Sequence, residues 1–134
     1  MKPDHAWPET VIVKLEKPHK DARGIIQPLV DVPMKSALLI TSRKGTIRAN
    51  HYHKKDWHYC YVVSGEIAYY ERPVGSRRKP KKTIVKAGQL FFTRPLVEHA
   101  MVFTKDTVFL TLSRQPRDPA SYEDDLIRVE LVKP

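Results

Sequence analysis

A single cysteine, Cys60, leaves the chain unable to form an internal disulfide. That absence fits a reducing compartment, and a cytoplasmic protein is the expectation. No stretch approaches the ~18 apolar residues that a membrane-crossing helix needs. The opening residues Met1, Lys2, Pro3, Asp4 and His5 lack the apolar centre of a secretory signal. Helical periodicity is poor throughout, and only Ala120 to Leu126 reads as one turn of helix. No internal repeat, second domain or low-complexity linker is visible; the 11 prolines are dispersed. No zinc-finger, helix-turn-helix or RNP-type pattern accompanies the basic residues, which argues against a nucleic-acid partner.

What is present is a set of short β-type runs. The chain has 134 residues, 41% of them hydrophobic, enough for one domain (1–134) with a core. Runs at Val11–Leu15, Ile25–Val30, Ser36–Thr41, Thr46–His53 and His58–Ser64 alternate with turn residues. Glu66–Glu71, Thr83–Lys86, Gln89–Thr93, His99–Thr104 and Thr107–Ser113 continue the series. Short strands separated by Gly, Pro and Lys-rich turns predict an all-β sandwich or barrel. Ser64-Gly65-Glu66 is a hairpin signal, since glycine takes positive φ without a steric cost. The segment 121–130 is a polar turn followed by alternation, the pattern of an edge strand that closes or swaps onto a sheet.

Net charge is +9, and part of the excess is local. Arg77, Arg78, Lys79, Lys81 and Lys82 surround Pro80. They read as a solvated hairpin loop, or else as an attractor for phosphates.

Four of the six histidines have informative spacing. His51 and His53 are two apart, so on a strand they share a face. His58 follows a short polar turn and can return on the neighbouring strand. His99 opens another strand-like run beyond the turn at Pro95. Two hairpins can thus bring four imidazoles together, which is what a transition-metal site needs. A histidine pair kept for acid–base work without metal, and plain structural histidines, are the alternatives. Cys60 lies two residues after His58 and should face the same interior as a small apolar filler.

These residues carry a resemblance. Gly45-x5-His51-x-His53-x4-His58-x6-Gly65 resembles the first cupin motif, G-x5-H-x-H-x3-4-E-x6-G, with histidine where glutamate is usual. The second cupin motif, G-x5-P-x-G-x2-H-x3-N, is matched more loosely. Gly88 and His99 fit, Pro95 is out of register, and Val97 and Phe103 replace the inner glycine and the terminal asparagine. The resemblance covers about residues 40 to 112. It implies a double-stranded β-helix, a jelly-roll barrel, and one divalent transition metal (Zn, Fe, Ni or Mn) at His51, His53, His58 and His99. Without the carboxylate such a site would be all nitrogen. Small cupins usually pair, so it also implies a homodimer.

Two shorter segments narrow the function that the resemblance implies. Asp21-Ala22-Arg23-Gly24-Ile25 is similar to the D-x-R-G-x-[FL] opening of cupin enzymes acting on nucleotide-linked deoxysugars, the dTDP-4-dehydrorhamnose 3,5-epimerases and the dTDP-4-keto-6-deoxyhexose 3,4-ketoisomerases. Arg48-Ala49-Asn50-His51-Tyr52-His53-Lys54 looks like the R-G-x-H-x-H-K segment of the ketoisomerases and the R-G-N-H-Y-H segment of capsular polysaccharide assembly reductases. Carried over residue by residue, this puts a base at His51 or His53 and substrate contacts at Arg23 and Arg48. An ion pair with Asp21 or Asp56 is the alternative for those arginines. The acid partner falls to Tyr61, Tyr69 or Tyr70 by position, with Tyr61 preferred. The expected function is a metal-binding epimerase or isomerase of nucleotide-linked keto-sugars. An all-histidine dioxygenase using iron, and a non-enzymatic small-molecule-binding protein, are the rivals.

Overall fold

The computed structural model describes residues 6–133, and the pentapeptide Met1–His5 lies outside them. Twelve strands and one short helix follow in order: β1 (Ile12–Val13), β2 (His19–Asp21), β3 (Gly24–Ile26), β4 (Ser36–Ser42), β5 (Ile47–His53), β6 (His58–Ser64), β7 (Glu66–Pro73), β8 (Lys81–Lys86), β9 (Leu90–Thr93), β10 (Val97–Phe103), β11 (Thr107–Ser113), α1 (Pro119–Asp125) and β12 (Leu126–Arg128). Two five-stranded antiparallel sheets face each other, in the orders β1-β9-β6-β11-β4 and β12-β5-β10-β7-β8. Strands close in sequence mostly alternate between the sheets, giving an all-β barrel as the run of short strands predicts, and the jelly roll that the motif resemblance implies.

Period-two alternation explains which side chains fill the barrel. On β6 it turns Cys60 and Val62 inward, on β10 Met101 and Phe103, and on β11 Phe109. With Ile67, Tyr69, Val85 and Phe91 these form the central core. The intervening residues of β6 and β9, Tyr59, Leu90 and Phe92, pack with Trp57 in a second cluster, and Tyr61 packs against it. Trp7, Val13, Leu15, Val30, Val32 and Met34 cover that cluster, so the N-terminal segment is a strap over the outside of one sheet.

Two sequence expectations need adjustment, and one strand carried no signal. The strand expected over Val11–Leu15 is only Ile12–Val13. That over Ile25–Val30 stops at Ile26, just before Pro28 and its missing N–H donor, and pairs only with β2 in a separate exposed hairpin. The polar strand His19–Asp21 carried no apolar pattern and went unseen. The C-terminal segment does close onto a sheet: α1 leads into β12, which pairs with β5 through Leu126↔His53 and Arg128↔His51. No helix is long and apolar enough to cross a membrane among the described residues.

Gly65 (φ +96°) makes the β6–β7 turn against the backbone of Asp106 and Thr107, with no room for a Cβ. More telling is β5. Ala49 (φ +71°) and Asn50 (φ +54°) are both left-handed, and the β10 register slips opposite them, between His99 and Ala100. A bulge here re-aims the two residues that follow. Ala49 stands where the resembling enzymes have glycine, and it takes the glycine-like conformation regardless. Asn50 holds it down: its side chain donates to the Val132 carbonyl (2.9 Å) and accepts from the Val132 N–H (3.0 Å).

Candidate active site

His51 and His53 leave the bulge at the end of β5, His58 starts β6, and His99 lies on β10 opposite His51. All four side chains enter the space between the sheets. Ring centroids are 4.7 Å apart for His51–His99, 4.9 Å for His51–His53, 5.5 Å for His53–His58 and 5.8 Å for His58–His99. The ligand atoms of His51, His53 and His99 all lie within 4.8 Å of one another.

Backbone and side-chain partners set the tautomers. His99 Nδ1 lies 3.1 Å from the Val97 carbonyl, which can only accept, so this nitrogen carries the proton. Its Nε2 is then a bare lone pair, buried and without a partner. His53 Nδ1 lies 3.1 Å from Asp125 Oδ2 and carries the proton for the same reason. Asp125 is itself fixed. Its Oδ1 accepts from the Lys55 N–H (2.7 Å), its Oδ2 from the Asp56 N–H (3.2 Å), and its carbonyl from the Lys54 N–H (2.9 Å). The turn joining β5 to β6 is thus tied to the end of α1.

Burial holds the cluster neutral. It drives His51 down to about 2, helped by His99 and His53 nearby, and His99 down to about 4. His58 falls well below its ordinary value, again mainly through burial. His53 is also lowered by burial, but the charge and hydrogen bond of Asp125 pull it back up. Asp56 moves the other way: burial lifts its carboxyl to about 6. Cys60, 1% exposed and 3.4 Å from the Thr111 hydroxyl, is pushed up to about 12, as befits a thiol that only fills space.

The imidazoles line a cavity of about 160 Å³ together with Gln115, Arg117 and Tyr122. It is about as large as an apolar cavity that takes a benzene ring (~150 Å³).

The structure brings some expected site residues here and sends others away. Arg48 lines the cavity at an exposed position. It is held by Ser42 Oγ (2.6 Å) and the Thr41 carbonyl (3.0 Å) rather than by Asp56. Arg23 sits on the β2–β3 hairpin, ion-paired with Asp21 at 2.7 Å, and does not line the histidine cavity. Tyr61 points to the outer cluster, on the opposite side of its sheet from His58 and Cys60, so it does not reach the imidazoles. Tyr69 stacks 6.1 Å from His99, but its buried hydroxyl is bonded to Thr93 (2.8 Å). Tyr70 lies next to Lys82. Arg77, Arg78, Lys79, Lys81 and Lys82 are exposed at the end of the β7–β8 hairpin.

Sequence reasoning missed three residues. Tyr122 stands 5.9 Å from the His53 ring, under the Arg117 guanidinium at 4.2 Å. Asp125 and Tyr122 come from a segment that read as a turn of helix leading into a closing strand, 69 or more residues from His53. Asp56 lies within the motif itself, but its distance from the usual glutamate position gave no reason to select it.

An antiparallel double-sheet barrel with polar side chains converging between its sheets is a jelly roll with a polar interior. More particularly, the chain belongs to the cupin family, whose domain profile matches residues 38–113. No curated protein sequence matches it. Among solved structures, it is similar to the QdtA 3,4-ketoisomerase of Thermoanaerobacterium thermosaccharolyticum, a double mutant complexed with TDP. The TM-score is 0.69 at 28% identity, covering 87% of this chain and 85% of that one. A 3,4-ketoisomerase of Helicobacter canadensis gives 0.72 at 19% identity (87% and 88% covered). A dTDP-4-dehydrorhamnose 3,5-epimerase of Sulfolobus tokodaii gives 0.65 at 16% (84% and 80%). The last two likenesses establish the fold alone.

Proposed function

We propose that this protein isomerises or epimerises a keto-sugar carried on a nucleotide, with His53 as the base. The observation that carries this reading is the His53–Asp125 pair. A buried imidazole whose Nδ1–H is held by a carboxylate presents its Nε2 lone pair to a ring-sized cavity. Of the candidate bases, His51 is the more strongly depressed, at about 2, whereas the charge and hydrogen bond of Asp125 counter part of the effect of burial on His53. The likeness to a ketoisomerase crystallised with TDP supports the substrate class.

His53 takes the proton from the carbon beside the ketone, leaving an enolate and an imidazolium stabilised by Asp125. Tyr122, whose ring stands 5.9 Å from that of His53 with the Arg117 guanidinium over it, is the hydroxyl donor to the ketone oxygen. Return of a proton to the former carbonyl carbon, with Tyr122 oxygen taking the proton of the neighbouring hydroxyl in exchange for the one it gave the ketone oxygen, moves the ketone by one position; return to the same carbon on the other face inverts it. The cavity holds the sugar, while Arg48 and Arg117 at its exposed rim face the diphosphate.

The test is deuterium exchange. A 4-keto-6-deoxysugar nucleotide incubated in D2O should gain deuterium beside the ketone, and His53→Asn should abolish this in a folded protein. Exchange that persists in His53→Asn removes the base from this position. No exchange with any keto-sugar nucleotide, together with oxygen uptake on adding iron, points to a dioxygenase instead.

A second reading rests on His99 Nε2, a buried lone pair without a partner. Neutral imidazoles are the ligand form, so the donor set fits a divalent transition ion held by His51, His53, His58 and His99. Such an ion would supply Lewis-acid polarisation of the ketone oxygen.

A further inference from the structure

The first histidine motif has His58 where a carboxylate is usual, which leaves an all-imidazole set. A buried dication among neutral imidazoles, with Arg48 and Arg117 at the rim, has no anion to offset it. Taking charge out of water without a counter-charge is costly. The fold supplies that counter-charge from another position. Asp56, 7% exposed, lines the same cavity, and its carboxylate lies with the His53 and His58 nitrogens so that all ligand atoms are within 4.8 Å of one another. Its orientation is set by the backbone: Oδ1 accepts from the Trp57 N–H (2.9 Å) and the Gln115 N–H (3.0 Å).

We infer that Asp56 supplies the carboxylate missing at position 58, so that the cation seat is the set His53, Asp56 and His58 rather than His51, His53 and His99. The two sets share His53 and cannot both be filled through its one free nitrogen. Burial and the Asp56 charge favour the carboxylate set. All three of its members are buried, His53 at 4%, Asp56 at 7% and His58 at 7%, whereas His51 is half-buried. Behind His53, in either set, Asp125 adds a negative charge through Nδ1–H, the orienting arrangement usual for metal-bound histidine. Asp56 and Asp125 together balance a +2 ion. Two imidazoles and one carboxylate suit Fe(II) and its spectroscopic substitute Mn(II). An ion there takes the same His53 lone pair that the proposed base uses, so metal occupancy and base function exclude one another.

The test is Mn(II) binding to the intact, chelator-stripped protein, read by electron paramagnetic resonance and calorimetry, with no sugar substrate present. We expect one Mn(II) per chain. Asp56→Asn should weaken binding by about tenfold or more, the scale of losing a supporting group in a metal site. Asparagine's carbonyl keeps both backbone bonds, so the fold should survive. His51→Asn should change affinity by less than about twofold. As a second comparison, insensitive to any role of Asp56 in folding, His58→Gln should weaken binding and His99→Gln should not. The inference is overturned if the native protein binds no Mn(II), or if His51 and His99 variants lose the ion while Asp56 and His58 variants keep it. Deuterium exchange on the same chelator-stripped protein tests the sugar reading separately.

Discussion

Acid should destabilise this protein well before most of its carboxylates are titrated. The perturbation is a shift from pH 7 to pH 5 with chelator present. His58 and His99 are 7% and 1% exposed and held below their ordinary values by burial. A histidine depressed in the folded state contributes stability that is present above ~6.5, its unfolded value, and lost as pH falls below it. At pH 5 the unfolded chain has protonated its histidines, while the folded chain, with His99 at about 4 and His51 at about 2, keeps these two almost wholly neutral. His51 and His99 therefore each cost about 2 kcal/mol between pH 7 and 5, at 1.36 kcal/mol per unit, and His58 adds to the loss in the same direction. Asp56 has the opposite sign. Raised to about 6 when folded, it takes up a proton in the native state over this interval and returns about 1 kcal/mol. The net loss is about 3 kcal/mol or more, a large part of the ~5–15 kcal/mol of an ordinary domain. Urea unfolding followed by fluorescence should show the midpoint falling by about 1–2 M from pH 7 to 5. His99→Gln removes one titrating group, so its pH slope should be shallower by about 1 kcal/mol per unit near pH 5.5. A midpoint that stays flat or rises as pH falls, or a His99→Gln slope equal to the parent's, refutes the assignment of buried neutral imidazoles.

Four shorter predictions follow. Ala49→Gly should stabilise the protein by about 1 kcal/mol, because glycine carries no left-handed penalty; a lower melting temperature would argue against the β5 bulge. Gly65→Ala should be among the most damaging single changes, since the new Cβ meets the Asp106 carbonyl and Thr107, and an unchanged melting temperature would contradict this turn. Asp125→Asn should keep the bonds that its backbone carbonyl makes yet slow exchange by about 100-fold or more, because the amide no longer stabilises an imidazolium at His53; the deuterium assay measures it. Tyr122→Phe should leave deuterium exchange running and slow conversion to product, whereas Tyr61→Phe should affect neither.

The all-β class, the strand order along the chain and the convergence of four histidines were legible in the sequence, for one physical reason. Period-two alternation and the spacing of residues along a strand are local properties, and His51, His53 and His58 lie on one hairpin. His99 was within reach because the second hairpin repeats the pattern. Local patterning also announced the β6–β7 turn at Gly65. What the sequence could not determine was which distant residues the closed barrel would bring to those imidazoles. Tyr61 looked eligible because it follows His58 closely, yet an odd spacing of three puts it on the other face of the sheet. Asp125 and Tyr122 looked like a polar turn, yet β12 pairs with β5 and carries them onto His53. Arg23 has the right neighbours in sequence, but its hairpin pairs with neither large sheet. The charge state of the cluster was undecidable too, since it follows from burial between two sheets and from which carboxylates, Asp56 and Asp125, the tertiary structure places alongside it.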